Sequence, residues 1–317
     1  MDKRELKAST KKFNLRRLGP VLALIVLFIL VTALNPNFIK VNNLLNLLRQ
    51  VSINAFIAFG MTFVIITGGI DLSVGSVLAL SSAIVAYLMM YGIHPILAVL
   101  LGVLLGGLLG AVNGLIITKG NVVPFIATLS TMTIYRGLTL VLTGGNPLTK
   151  FEGGQFFESI GRGYLFKIPV PVILMLIVFA GLYCLLHKTT FGRKTFSVGG
   201  NEKAAFIAGI NSDRVKIIVY TVSGALAAIA GLILTSRLNS AQPTAGVAYE
   251  MDAIAAVVIG GTSMAGGHGR IVGTLVGALI IGTLNNGLNL LGVSSFYQQI
   301  VQGVVILIAV LLDRKDK

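Results

Sequence analysis

Residues 96–117 read ILAVLLGVLLGGLLGAVNGLII, twenty-two positions without a charge or a proline. A helix rises about 1.5 Å per residue, so roughly 20 apolar residues cross a hydrocarbon core about 30 Å thick. The stretch is therefore a membrane-spanning helix. Within it Gly102, Gly106, Gly110 and Gly114 recur every four residues and share one face. Lipid tails give helices no hydrophobic reason to associate, so such a stripe serves close backbone packing against a neighbour. Gly273 and Gly277 repeat the device later in the chain.

Similar apolar runs lie on both sides, among them Val21–Leu34 and Val170–Leu186. Over 317 residues, 55% are hydrophobic and only 11% charged, with a mean hydropathy of +0.90. Soluble domains carry about 25% charged residues, and a chain with so few could not cover its surface in water. The pattern predicts an all-α, polytopic membrane protein with about ten spans. They fall near 19–34, 44–67, 72–91, 95–118, 122–142, 168–187, 215–238, 251–266, 270–291 and 296–312. The eighth is short and glycine-rich, which suits a broken or re-entrant segment; irregular backbone survives at membrane depth only inside protein or beside a cavity. The first span follows a basic region without a clear cleavage site and is expected to be retained.

The net charge of +14 invites a nucleic-acid reading, but the positions of the charges argue for topology and lipid headgroups. Seven Lys and Arg precede the first span, six crowd 188–216 and three end the chain. Cytoplasmic loops carry such an excess. Ten spans with both termini cytoplasmic place 18 of the 25 Lys and Arg inside. The layout is then a basic segment 1–18, a transmembrane domain 19–312 with an outer loop at 143–167 and an inner loop at 188–214, and a tail 313–317. The lone Cys184 excludes an intramolecular disulfide framework.

Reactive chemistry is not evident. Gly260–Gly267 lacks the GxxxxGK[ST] pattern of a phosphate loop, and no HExxH, paired-cysteine or carboxylate cluster occurs. His94, His187 and His268 stand at predicted span ends and read as interfacial. Ionisable groups at membrane depth are costly and usually functional; Asp71 is the main candidate, able to cap the third span or face a cavity. Such a chain is a pathway driven by something else, and no metal or cofactor is expected on it.

The inner loop holds a short helix signal. Asn201 suits the N-cap, Glu202 the positive helix start, Ala204, Ala205, Phe206, Ile207 and Ala208 the body, and Gly209 the stop. A second start follows at Ser212. Phe206 and Ile207 have no reason to sit on an isolated polar loop. They suit docking in a partner's groove, or an amphipathic helix on the bilayer surface. For an uncharged, polar substrate, amides are apt lining groups. Asn285 and Asn289 share a face of the ninth span with Asn286 nearby, and Gln298 and Gln302 lie on a polar strip of the tenth. The same amides could instead hold helices together by mutual hydrogen bonds.

GMTFVIITGGIDLSVGS at 60–76 resembles a signature of the permeases of carbohydrate ATP-binding-cassette importers, as does VGGNEKAA at 198–205, continued to Ser212. SAQPTAG at 240–246, YEMDAIAAVV at 249–258 and NNGLNLLGVSS at 285–295 are similar to the ribose-carrying members in particular. The resemblance covers the chain from about residue 19 onward. It implies a bacterial inner-membrane homodimer that moves ribose by alternating access. Separate ATPase subunits would hold ATP and Mg2+, and a soluble sugar-binding protein would dock outside. The helix at 202–208 would couple the permease to the ATPase. Xylose, arabinose, galactose and autoinducer-2 are the alternative cargoes, and an ATP-independent carrier or channel is the alternative class.

Overall fold

The computed structural model describes residues 15–313, so most of the basic segment 1–18 and nearly all of the tail 313–317 lie outside the described residues. The described chain is helical, with elements α1 (Leu15–Leu34), α2 (Val41–Ile66), α3 (Val74–Met90), α4 (Pro95–Lys119), α5 (Pro124–Thr143) and α6 (Gly154–Arg162). A two-residue ladder, β1 (Tyr164–Leu165) with β2 (Ile168–Pro169), precedes α7 (Val170–Lys188). Then come α8 (Thr190–Gly200), α9 (Glu202–Ile207), α10 (Ser212–Leu238), α11 (Tyr249–Ile259), α12 (Ile271–Leu290) and α13 (Ser295–Asp313). Prolines open α4 and α5, where a missing N–H is harmless and the fixed φ is already helical. Gly144, left-handed at φ 60°, closes α5.

Two helices form the centre. From Val51 to Ile66 every residue of α2 is buried except the half-buried Asn54, as expected of a helix apolar all round. Helix α10 packs against α2, α3 and, most extensively, α4. The glycine stripe makes that last contact: a side chain at Gly106 would meet the Gly224 backbone, one at Gly110 the Tyr220 carbonyl, and one at Gly114 Ile217. The opposite face of α4, with Leu100, Leu104, Leu108 and Leu115, is exposed and suits lipid. Gly273 and Gly277 of α12 similarly admit the α11 backbone at Gly260 and Ala256.

Among the described residues, six helices (α2, α4, α5, α7, α10 and α12) are long and apolar enough to cross a membrane, and Gly19–Leu34 and α3 are shorter apolar helices. The expected eighth span, 251–266, differs from the structure: α11 is helical only for the 11 residues Tyr249–Ile259, about 16 Å at 1.5 Å per residue. The helix stops because Gly261, Gly266 and Gly267 take φ of 84°, 83° and 73°, left-handed values incompatible with continuation. The irregular backbone finds internal partners. Thr262 N–H donates to the Val257 carbonyl (3.2 Å), Ser263 N–H to His268 (3.1 Å) and Gly267 N–H to Ile66 at the end of α2 (2.9 Å).

Both large loops hold structure that the residue pattern did not announce. In 143–167, α6 rests on the end of α10, where the Gly161 N–H donates to Ser236 Oγ (2.8 Å) and the Ser236 hydroxyl to the Phe157 carbonyl. In 188–214, α8 precedes the short helix and is capped by Thr189, whose side chain accepts from Gly192 N–H at 3.3 Å.

Candidate functional site: a short exposed helix and buried polar groups

Helix α9 forms where its residues predict. Asn201 Oδ1 accepts the Ala204 N–H at 3.0 Å, satisfying one of the helix's free donors. Gly209 turns the chain at φ 78°, and Asn211 Oδ1 takes the Arg214 N–H at 2.9 Å to open α10 at Ser212. Glu202 is fixed by Lys216 (2.6 Å) and Asp213 by Lys119 (2.6 Å). Ala205 faces inward at 4% exposure, whereas Phe206 and Ile207 stand 74% and 86% exposed beside a cleft that reaches Ile210. Helix α9 is thus a rigid, anchored platform presenting two large apolar side chains to the outside. Such side chains can fill an apolar groove on another molecule.

The predicted amides come together in pairs. Gln302 donates to Asn285 Oδ1 (3.0 Å) and Gln298 to Asn289 Oδ1 (2.9 Å), so α13 is tied to α12 twice. Asn286 and Asn43 exchange bonds at 2.9 and 3.1 Å, tying α12 to α2. Asp71 is 1% exposed. Its Oδ1 accepts the Ser73 N–H (3.1 Å) and hydroxyl (2.6 Å), and its Oδ2 accepts the Ser223 hydroxyl of α10 (2.9 Å). Asn113 of α4 donates to Ser73 Oγ at 2.7 Å. The carboxylate caps α3 and joins three helices in one buried network.

The structure also gathers polar groups that the residue pattern had not marked. Asn46, Gln50 and Asn54 lie four apart on α2, one stripe of amides on the polar N-terminal part of the helix. Asn54 Nδ2 reaches Asp252 Oδ2 of α11 at 3.5 Å, the limit of a hydrogen bond. Arg49 donates to Asn46 Oδ1 (3.3 Å), and its guanidinium lies 5.0 Å from the centre of the Tyr164 ring of β1. Its Nε and Nη2 are buried without a protein partner, which costs about 1–3 kcal/mol for each such group. Arg237 of α10 lies within electrostatic reach of Arg49 and Tyr249. Close by, Arg136 of α5 donates to the carbonyls of Pro243 (2.5 Å) and Ala245 (2.8 Å), holding the connection into α11. The helices thus carry more charged groups than Asp71 alone. The legible signal was the 46, 50, 54 spacing; the proximity of Asp252 was not.

Residues 43–310 match the family described as the permease component of branched-chain amino acid transport systems. The chain belongs to this permease family. Over 99% of this chain and 99% of the relative, it is 63% identical to the ribose import permease protein RbsC of Bacillus subtilis (strain 168). The protein of the same name from Haemophilus influenzae is 53% identical over 97% of each chain. That of Escherichia coli K12 is 54% identical over 94% of this chain and 93% of the relative. No solved structure matches the chain. As a member of this family the protein is a multi-pass membrane permease, a transport component and not an enzyme.

Proposed function

We propose that this chain is the membrane subunit of an ATP-binding-cassette importer that carries ribose into a bacterial cell. The observation that carries the reading is the 63% identity to a ribose import permease over 99% of both chains. In this reading two copies form the translocation unit, ten spans place both termini in the cytoplasm, and 143–167 faces outward to receive a soluble sugar-binding protein. The eighth segment enters only part of the way, as the half-helix α11. ATP and Mg2+ belong to partner ATPase subunits. Asn201, Glu202, Ala204, Ala205 and Gly209 build the coupling helix in the inner loop, and Phe206 and Ile207 are the side chains it inserts into the ATPase. Asp71, Asn285, Asn286, Asn289, Gln298 and Gln302 lie along the sugar path, where they also brace its helices.

The family's description favours a second cargo, a branched-chain amino acid. Reconstitution with an ATPase and a binding protein in liposomes separates the two. The expected result is ATP-dependent uptake of labelled D-ribose and none of L-leucine. Leucine uptake would move the chain to the second reading, and ribose uptake without ATP would make it a carrier.

A further inference from the structure

We propose that Asn46, Arg49 and Asn54 of α2, Arg237 of α10, and Tyr249 and Asp252 of α11 form the station where the translocated sugar is held from the outer side. The assignment rests on the import reading above and names the groups that meet the cargo.

Three observations carry it. The first is placement. Asn46 is exposed and the other five are partly exposed, although all belong to helices packed in the membrane domain. Asn46 and Arg49 lie near the start of α2, Arg237 in the last turn of α10, and Tyr249 and Asp252 in the first turn of α11, so five of the six gather at the end of the domain that carries 143–167, with Asn54 further along α2. From Asn46 to Asn54 the α2 stripe runs about 12 Å down the helix at about 1.5 Å per residue, which makes a track and not a point.

The second is chemistry. A sugar hydroxyl both donates and accepts, so its site needs both kinds of partner. Here two guanidiniums supply donors, Asp252 supplies acceptors, and the amides and Tyr249 supply both. These groups are only lightly spent on one another, Arg49 donating once to Asn46 Oδ1 at 3.3 Å. Among the described residues neither arginine forms an ion pair with Asp252, the Asn54 to Asp252 approach is 3.5 Å, and Arg49 Nε and Nη2 have no protein partner. The amides of α12 and α13, by contrast, already have amide partners: Asn285 with Gln302, Asn289 with Gln298, and Asn286 with Asn43 of α2.

The third is the surrounding architecture. Two of the six residues stand in the first turn of α11, a half-helix whose start has no side-chain cap. Transporter sites at membrane depth are commonly built where helices are interrupted. The outer loop closes over the station: the Tyr164 ring lies against Arg49, and Arg162 Nε donates to the Arg237 carbonyl at 3.0 Å. A protein landing on 143–167 therefore presses directly on the groups proposed to receive the cargo.

The test uses the complete importer, with permease, ATPase and binding protein, in liposomes, carrying Asp252→Asn or Asn54→Ala. Labelled D-ribose uptake and ATP hydrolysis stimulated by the loaded binding protein are measured on the same vesicles, and 2-deoxy-D-ribose is run beside ribose. Each variant should lose at least fivefold in ribose uptake at unchanged stimulated hydrolysis, and its preference between the two sugars should shift. If either variant assembles and takes up both sugars at wild-type rates, the assignment is overturned. It is equally overturned if uptake and hydrolysis fall in proportion in an assembled variant, because that marks a coupling defect. Should one substitution prevent assembly, the other decides, since the two sit on different helices. The wild-type lane separates the claims. Wild-type vesicles that import neither ribose nor leucine sink the import reading and this assignment with it. Normal wild-type uptake beside a normal variant sinks this assignment alone.

Discussion

Asp71 accepts three hydrogen bonds from Ser73 and Ser223 in a site closed to solvent. Asp71→Ala leaves a backbone N–H and two hydroxyls unpaired, at about 1–3 kcal/mol for each buried group. The purified variant should unfold at markedly lower temperature than wild type, and Asp71→Asn, which keeps one acceptor oxygen, should lie between them. A thermal midpoint unchanged in Asp71→Ala would remove the residue from the structural network. The pair Asn285–Gln302 makes a gentler case. Gln302→Leu deletes one interhelical bond, worth about 0.6–2 kcal/mol in membranes. Its midpoint should fall slightly while ribose uptake per folded molecule stays at the wild-type level. Slowed uptake at an unchanged midpoint would instead make this amide pair a contact of the sugar itself.

The α4–α10 contact is close because Gly106, Gly110 and Gly114 let backbone meet backbone. Gly110→Val drives a branched side chain into the Tyr220 carbonyl and Gly224. Overpacking costs about 1–3 kcal/mol even where side chains can yield, and a backbone cannot. We expect little folded protein from this variant. Gly137→Ala in α5 meets nothing within 4 Å and should be neutral or stabilising by up to about 1 kcal/mol, as alanine favours helix. Comparable yields of folded protein from the two would refute the packing role of the stripe. Helix α9 makes the opposite prediction. Phe206 is 74% exposed, so Phe206→Glu should leave insertion and folding intact. It should instead bury a charge in the ATPase groove, roughly 3–5 kcal/mol unfavourable and more than a hundredfold in affinity. Co-purification of the ATPase at wild-type yield would remove Phe206 from the interface. Both features could be read from residues alone because each is local: a four-residue glycine period, and an Asn cap followed by apolar residues and a glycine stop. Helices α6 and α8 escaped such reading because glycines at 154, 161, 192, 199 and 200 lower their intrinsic propensity, and packing makes them. The polar station escaped because Asn54 and Asp252 are 198 residues apart and only the fold brings them together.

The whole molecule has a direction in the membrane, and the two large loops report it. They flank α7, which is long and apolar enough to cross once, and in the proposed topology this puts 143–167 and 188–214 on opposite sides whatever the depth of α11. Net charge decides which is which. The inner loop assignment collects Lys188, Arg193, Lys194, Lys203, Arg214 and Lys216, while 143–167 offsets Lys150, Arg162 and Lys167 with Glu152 and Glu158. Positive residues are retained on the cytoplasmic side. Single cysteines test the orientation in a Cys184→Ser background, needed because Cys184 is exposed. Gln155 is a suitable outer position; the neighbouring Gly154 is left-handed at φ 59°, where a side chain would be strained. Lys203, exposed on α9, is the inner counterpart. With an impermeant maleimide, Gln155→Cys should label in intact spheroplasts and Lys203→Cys only after lysis. The reverse pattern would invert the molecule, placing α9 where no cytoplasmic ATPase could reach it and the polar station on the inner side.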